Sequence, residues 1–251
     1  TDHTNTVAII PHIKRPVVTF GLHKDAEVRG SNLRYNQNQT IFDVLVKNEN
    51  LGEFCIHVPG EHNVNNALGA VTLALQLDIK VEKIQAGLDQ YNGVRRRFDI
   101  KYTLENGIII VDDYAHHPFE VISTIQAAKS GWDRRLITVF QPHLFTRTRD
   151  FYQDFAKAFQ KADILIVTDI YQAREMPIPG ITAEIISDTA KKMGHKHVEY
   201  IPDQTQIATR LSDIAKPNDM IITMELAIFG VNVKEFMRLS KIEPKTEERN
   251  S

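Results

Sequence analysis

The sequence predicts an α/β protein in two parts, with a parallel sheet flanked by helices in the carboxy-terminal part. Three observations carry this. After residue 98, five short apolar runs alternate with amphipathic stretches, the pattern of strands joined by crossover helices. Those runs are apolar throughout, which suits strands buried on both faces. Residues 1–60 have a different texture, with short β-type runs, and helical periodicity sets in from Gly60.

In the first part, residues 16–20 read as a strand. Residues 40–46 set Ile41 and Val44 among polar neighbours, and residues 53–58 follow the turn-like Asn48-Glu49-Asn50. The two runs read as a hairpin. Val64, Ala67, Leu68, Val71, Ala74 and Leu75 recur at helical spacing and give one apolar face. A second helix over 81–90 turns Val81, Ile84 and Leu88 inward, and Asn92-Gly93 ends it. In the second part the strands fall at 108–111, 136–140, 164–167, 198–201 and 220–223. Helices lie near 119–129, 149–160, 182–193, 204–215 and 232–240. The boundary near 93–98 divides residues 1–95 from 96–251.

Composition narrows the function. The 251 residues suit one or two domains, at about 150 residues each. Net charge is −2, so no general field favours nucleic acid or an anionic membrane. The single cysteine, Cys55, rules out an internal disulfide framework and fits a reducing, cytoplasmic compartment. It is expected to pack as a small hydrophobe rather than act as a reactive thiol. No run approaches the ~20 apolar residues that span a bilayer. The start, Thr1-Asp2-His3, is polar and carries no secretory signal. It lacks an initiating Met, which points to a trimmed chain or a fragment.

Ligands of open parallel sheets bind beyond the carboxyl ends of the strands, so the residues after each strand are the candidates. Asp112-Asp113-Tyr114-Ala115-His116-His117-Pro118 follows the 108–111 run and leads into a helix. Pro118 suits the first helical turn, and Glu120 suits its positive end. Capping explains His117 and strand termination one Asp, but not all five polar groups. After the 136–140 run comes Gln141-Pro142-His143-Leu144-Phe145-Thr146-Arg147. Thr148 reads as the cap of the next helix, leaving His143 and Arg147 as ligand candidates, with a surface salt bridge the alternative for Arg147. Arg95-Arg96-Arg97 fits either a polyphosphate or a solvated face. Asn63 and Asn66 share a helix face, and each offers the donor and acceptor an adenine edge needs. Asn63 alone also fits a helix cap.

Absences matter as well. No Gly-Lys dipeptide occurs, so there is no P-loop. Dinucleotide and nucleophile-elbow motifs are missing too. His116-His117 lacks the spacing of a metal site, so no metal ligand is assigned. His195 and His197 read as surface residues.

Taken in order, Gly60-x-His62-Asn63-Val64-x-Asn66-Ala67, Gly93-Val94-x-Arg96-Arg97-Phe98, Asp112 to Pro118 and Phe140-Gln141-Pro142-His143 resemble the Mur ligase family. Tyr114 and the Phe140 to His143 segment bring the chain nearest to the members that add L-alanine to UDP-N-acetylmuramate, rather than to those that recycle the tripeptide. The resemblance runs from about residue 17 to 223. It implies the latter part of the family's central ATP-binding domain over residues 1–95, followed by the Rossmann-like third domain. The UDP-binding domain, the P-loop and the Mg2+ ligands have no counterpart here, so a separate amino-terminal half is an expected partner. By resemblance, Asn63 and Asn66 hold adenine, Arg97 reaches the ATP phosphates and Asp113 bonds the ribose. Tyr114, His116 and Arg147 border the alanine and the reacting carboxylate, with His143 nearby. The chain departs from the pattern in three places. Leu144 stands where the family usually has Arg, Phe119 where Thr is common, and Glu225-Leu226-Ala227-Ile228-Phe229-Gly230 replaces a Gly-Ala-Gly-Asp-Ile loop. These departures keep a second reading open, a non-enzymatic binding module of the same family.

Overall fold

The computed structural model describes residues 2, 4–225 and 232–247. The chain divides into two compact units: residues 1–93 with 130–132, and residues 94–129 with 133–251.

In the first unit a short helix α1 (Thr4–Ile9) precedes four strands: β1 (Phe20–Gly21), β2 (Val28–Asn36), β3 (Gln39–Val46) and β4 (Glu49–Ile56). They lie in chain order, antiparallel except for β1 against β2. The expected hairpin is β3–β4, but its turn is Lys47-Asn48, with φ of 48° and 72°. Two consecutive left-handed residues match the right-handed twist of the strands they join, so β4 starts at Glu49. Only Phe20 of residues 16–20 enters a strand. The sequence reading missed β2, whose outer half alternates between half-buried and exposed positions. At Gly30 on β2 a Cβ would sit 2.8 Å from a Leu22 methyl and 3.0 Å from a Leu68 methyl, so any larger residue makes those side chains shift.

Helices α2 (Glu61–Gln76) and α3 (Val81–Asp89) follow. Val64, Ala67, Leu68 and Val71 of α2 and Ile84 of α3 pack with Phe42, Val44, Phe54 and Ile56 of the sheet. Gly60, at φ 97°, is the N-cap of α2, and no side chain caps it. Asn63 is therefore not the cap. Cys55 is half-buried. Burial, then the Asp89 carboxylate, push its thiol up, so it is not an activated nucleophile.

The second unit is a seven-stranded sheet. Its strands are β5 (Asp99–Leu104), β6 (Ile109–Asp113), β7 (Leu136–Phe140), β8 (Ile164–Val167), β9 (Val198–Tyr200), β10 (Met220–Met224) and β11 (Pro244–Glu247). The order is β11-β5-β6-β10-β7-β8-β9. From β6 to β9 every neighbour is parallel, and β5 and β11 add an antiparallel edge. The helices are α4 (Pro118–Gly131), α5 (Phe145–Ala158), α6 (Glu184–Lys192), α7 (Ile207–Ile214) and α8 (Val233–Ser240). Ile207, Leu211, Val233 and Phe236 of α7 and α8 pack on Ile110, Ile137, Val139, Ile166 and Ile221. Phe140 instead meets Phe155 of α5 and the following Phe159, each at 5.0 Å between ring centres. Both sheet faces are thus covered, as the apolar strands required.

Two local expectations fail. Thr148 does not cap α5: the helix starts at Phe145, and the Thr148 hydroxyl donates to the Leu144 carbonyl at 2.9 Å, inside the first turn. His195 is not on the surface; it is 8% exposed, and burial pushes its pKa down. At the amino ends of the strands, Arg135 binds Asp219 through two hydrogen bonds, of 2.9 and 2.6 Å. Among the described residues no helix is long and apolar enough to cross a membrane.

Candidate active site at the carboxyl ends of β6, β10 and β7

The last parallel strand in the sequence, β10, inserts between β6 and β7. Met224 pairs with both Asp113 and Phe140. Glu225 then donates its N–H to the Asp113 carbonyl at 3.0 Å, and Gln141 donates to the Met224 carbonyl at 3.1 Å. Three strand ends, each followed by polar residues, therefore open side by side, where ligands of such sheets bind.

Asp113 is 4% exposed. Its two carboxylate oxygens accept the N–H groups of Phe98 and Ala115, both at 2.8 Å. Burial pushes this carboxyl up, against the lowering effect of those bonds. The residue expected at a ribose is thus already engaged in holding its own loop. Asp112 is 3% exposed and lies 3.4 Å from Arg96 Nε. Burial, only partly offset by Arg96 and Lys101, raises it to about 6.

The Tyr114 ring carries both neighbouring guanidiniums, Arg96 at 4.7 Å and Arg97 at 5.6 Å from its centre. Its edge meets His116 at 4.9 Å. Glu120 organises the start of α4: it accepts the N–H groups of His116 and His117, at 3.0 and 3.1 Å, and binds Arg97 at 3.1 Å. Burial pushes the Glu120 carboxyl up, but the His116 N–H and the charges of His116 and Arg97 outweigh it and hold the carboxyl low. His116 Nδ1 lies 2.8 Å from the Tyr114 carbonyl, an acceptor that requires a proton on Nδ1. Arg147, in the first turn of α5, donates to the His116 carbonyl at 3.3 Å and lies 3.5 Å from His143 Nδ1. Burial, then the charges of Arg147 and His116, push His143 down, toward its neutral form. Its ring also stacks on Tyr171 at 5.5 Å.

Glu225 enters this cluster from β10. It has φ 60°, and its side chain is 8% exposed. Its Oε2 lies 3.7 Å from His116 Nδ1 and finds no hydrogen-bond partner among the described residues. Its carbonyl accepts from Arg96 at 2.9 Å. Burial raises the carboxyl to about 7; Arg96, Arg147 and Arg97 lower it, and Glu120 raises it. The rest of the expected loop departure, residues 226–230, lies outside the described residues.

This raised carboxyl makes stability depend on pH. An unfolded Glu titrates near 4.3, so the folded state holds the proton more tightly. The resulting stabilisation is fully present below that value and is lost as pH rises through about 7. The loss is on the order of 3 kcal/mol. Between pH 5 and pH 8, the unfolding free energy of the natural chain should fall by about 2 kcal/mol more than that of Glu225→Gln. Urea denaturation at the two pH values measures this, and parallel pH dependences would refute it.

The structure thus brings Arg97, Tyr114, His116, His143 and Arg147 together in the second unit, with Asp113 beneath them. Asn63 and Asn66 lie in the first unit, on a cavity of about 230 Å³ walled by Ile56, Ala67, Leu88 and Tyr91. Asn63 Nδ2 donates to the Pro59 carbonyl at 2.8 Å, and Asn66 Nδ2 reaches Asn63 Oδ1 at 3.4 Å. The reading from sequence counted Asp112 and Arg96 among the candidate polar groups without giving either a role, and it named Glu225 only as part of a changed loop. Glu225 was findable as the residue that directly follows a strand.

The sequence profile of the Mur ligase glutamate ligase domain matches residues 96–224, and that of the Mur ligase middle domain matches residues 2–74. The UDP-N-acetylmuramate–L-alanine ligase of Geotalea daltonii is 45% identical over 223 residues, 89% of this chain and 48% of the relative. The same enzyme of Salinibacter ruber is 45% identical over 224 residues, 89% of this chain and 47% of its own. The crystal structure of the UDP-N-acetylmuramate–alanine ligase of Thermotoga maritima superposes with a TM-score of 0.70 at 26% identity, covering 89% of this chain and 47% of that one. The chain spans about half the length of these relatives. Profiles matching within each unit, and relatives that share nearly half of the aligned residues, place the chain in the Mur ligase family, to which it belongs.

Proposed function

We propose that this chain is part of a cytoplasmic, ATP-dependent ligase that joins L-alanine to UDP-N-acetylmuramate in peptidoglycan precursor synthesis. The observation that supports it most is the meeting of Arg97, Tyr114, His116, His143 and Arg147 at three adjacent strand ends. In the proposed reaction ATP phosphorylates the lactyl carboxylate, and the alanine amine attacks the acyl phosphate. The tetrahedral intermediate then expels phosphate. Such chemistry needs fixed cations and donors where negative charge develops, and this cluster offers them.

In this reading Asn63 and Asn66 hold adenine in the first unit, where the two amides meet a mainly apolar cavity, as small-molecule sites usually combine a few polar groups with apolar walls. Arg97 meets the phosphates. Tyr114, His116 and Arg147 border the alanine and the reacting carboxylate, and His143 lines the same region. Asp113 acts through the loop it holds, by fixing Phe98 and Ala115; a ribose hydroxyl would have to share one of its oxygens. The acidic groups of the site do not suit Mg2+. Asp112 and Glu225 are buried and raised to about 6 and 7, whereas Mg2+ needs ionised carboxylates in octahedral geometry and keeps several waters. In this reading the P-loop and the Mg2+ ligands belong to the part of the ligase that this sequence does not include. Without them ATP loses about three charged hydrogen bonds of about 1.5–3 kcal/mol each, or roughly three to six decades of affinity.

Leu144 and Glu225 favour the second reading, a binding module without catalysis. The assay is L-alanine-dependent phosphate release from ATP with UDP-N-acetylmuramate. The chain is tested alone and with the amino-terminal half of an alanine-adding relative. No turnover alone and turnover with the added half is the expected result. Turnover by the chain alone would overturn the need for the missing half, and none in either case would favour the non-enzymatic module.

A further inference from the structure

We propose that Cys55, His57 and Asp89 form a binding site for a thiophilic divalent cation of the Zn2+ class, in the first unit and apart from the ligase cluster. Cys55 and His57 lie two residues apart on or just beyond β4, so they share the strand face opposite Phe54 and Ile56. β4 is the edge of its sheet, and α3 ends at Asp89 beside it. One ligand atom from each of the three residues lies within 4.8 Å of the other two, and His57 Nε2 is 3.0 Å from Asp89 Oδ1.

A tetrahedral zinc ion, with bonds of about 2.0–2.3 Å, sets its ligand atoms roughly 3.3–3.6 Å apart. The three side chains need to move by little more than an ångström to meet that geometry. The donor set is a thiolate, an imidazole and a carboxylate. This is a soft-to-borderline set that selects Zn2+ over Mg2+ or Ca2+. Its two negative charges offset the charge of the cation, and water takes the fourth position. An outer partner is also in place. The Gln39 side-chain amide lies 3.3 Å from His57 Nδ1. With its oxygen turned inward, an orientation equivalent in shape, it accepts the Nδ1 proton and directs the Nε2 lone pair at the metal.

The position has a structural consequence. Cys55 and His57 flank Ile56, and Asp89 follows Leu88; Ile56 and Leu88 both wall the cavity beside Asn63 and Asn66. A metal here would tie the end of α3 to β4 and fix two walls of that cavity.

Co2+ is the probe, added to the full chain in place of Zn2+. Cys55 is the sole cysteine, so a thiolate-to-cobalt charge-transfer band in the near ultraviolet reports this site alone. The band should form in the natural chain, disappear on Zn2+ addition and be absent from Cys55→Ser. His57→Gln and Asp89→Asn should each weaken binding by more than the roughly 10–100-fold that loss of an outer partner costs. Zn2+ should raise the thermal unfolding midpoint of the natural chain and leave that of the three variants unmoved. Far-ultraviolet circular dichroism in the presence of chelator checks that the variants are folded. Absence of the band from the natural chain overturns the proposal. So does a band that persists at equal affinity in His57→Gln and Asp89→Asn, because a lone thiol would then be the only ligand.

Discussion

Arg135→Ala lowers the unfolding free energy by about 3–5 kcal/mol, the usual cost of stripping one partner from a buried ion pair. The Asp219 side chain is 3% exposed, and two guanidinium nitrogens reach its two oxygens at 2.9 and 2.6 Å. The same guanidinium donates to the Ile214 carbonyl at 2.8 Å. Asp219 also accepts the Lys216 N–H at 2.7 Å, so alanine at position 135 leaves a carboxylate with one remaining donor in a dry setting. The backbone makes the loss cooperative. Met220 donates to the Arg135 carbonyl, and Ile109 to the Asp219 carbonyl, at 2.9 and 3.0 Å. The pair thus fastens the amino ends of β6, β10 and β7 together. Arg135→Lys should recover only part of the loss, since an ammonium cannot supply the two-pronged geometry. Urea denaturation with an unchanged slope measures the effect. A loss below about 1 kcal/mol would mean that the pair behaves as a solvated surface bridge.

In an assembled ligase, Arg147→Ala should reduce kcat for alanine-dependent phosphate release by about 10²–10³, the usual cost of one preorganised group facing developing negative charge. Arg147 is held for such a role, because its position is fixed from the His116 carbonyl. On the proposed reading, Leu144 stands where a second cation is expected, so more of the developing charge should fall on Arg147. Lysine at position 147 should restore the charge but not the fork, and so recover turnover partly. A loss smaller than about tenfold would assign the developing charge to Arg96 or Arg97 instead.

The parallel strands were legible because each is a continuous apolar run, and burial on both faces demands such runs. β5 and β11 were not. Asp99-Ile100-Lys101-Tyr102-Thr103-Leu104 is half-buried at five of its six positions, and Pro244-Lys245-Thr246-Glu247 is polar at the sheet edge. β11 is the edge strand, where charged and polar residues are usual, and β5 beside it is only half-buried, so pattern alone finds neither. At the site, motif order located the cluster, since residues after a strand must emerge at its carboxyl end. What motif order does not reveal is which polar groups are spent on the protein itself. Asp113 looks like a ligand group in sequence, yet each of its oxygens also accepts a backbone N–H of its own loop. Glu225 looks like an ordinary charged residue, yet it is buried against a histidine.

The insertion of β10 between β6 and β7 also orders events in time. Thr223 bonds the Val111 carbonyl across 112 residues of sequence, and such distant pairings form slowly, because loop entropy must be overcome first. On the ribosome, β6 and β7 emerge well before the strand that separates them. Until residue 224 is free of the exit tunnel, each presents an unsatisfied apolar edge, open to mispairing with the other. The middle of this sheet is the last part of its parallel array to be synthesised, and synthesis rate through residues 141–219 sets how long the gap stays open.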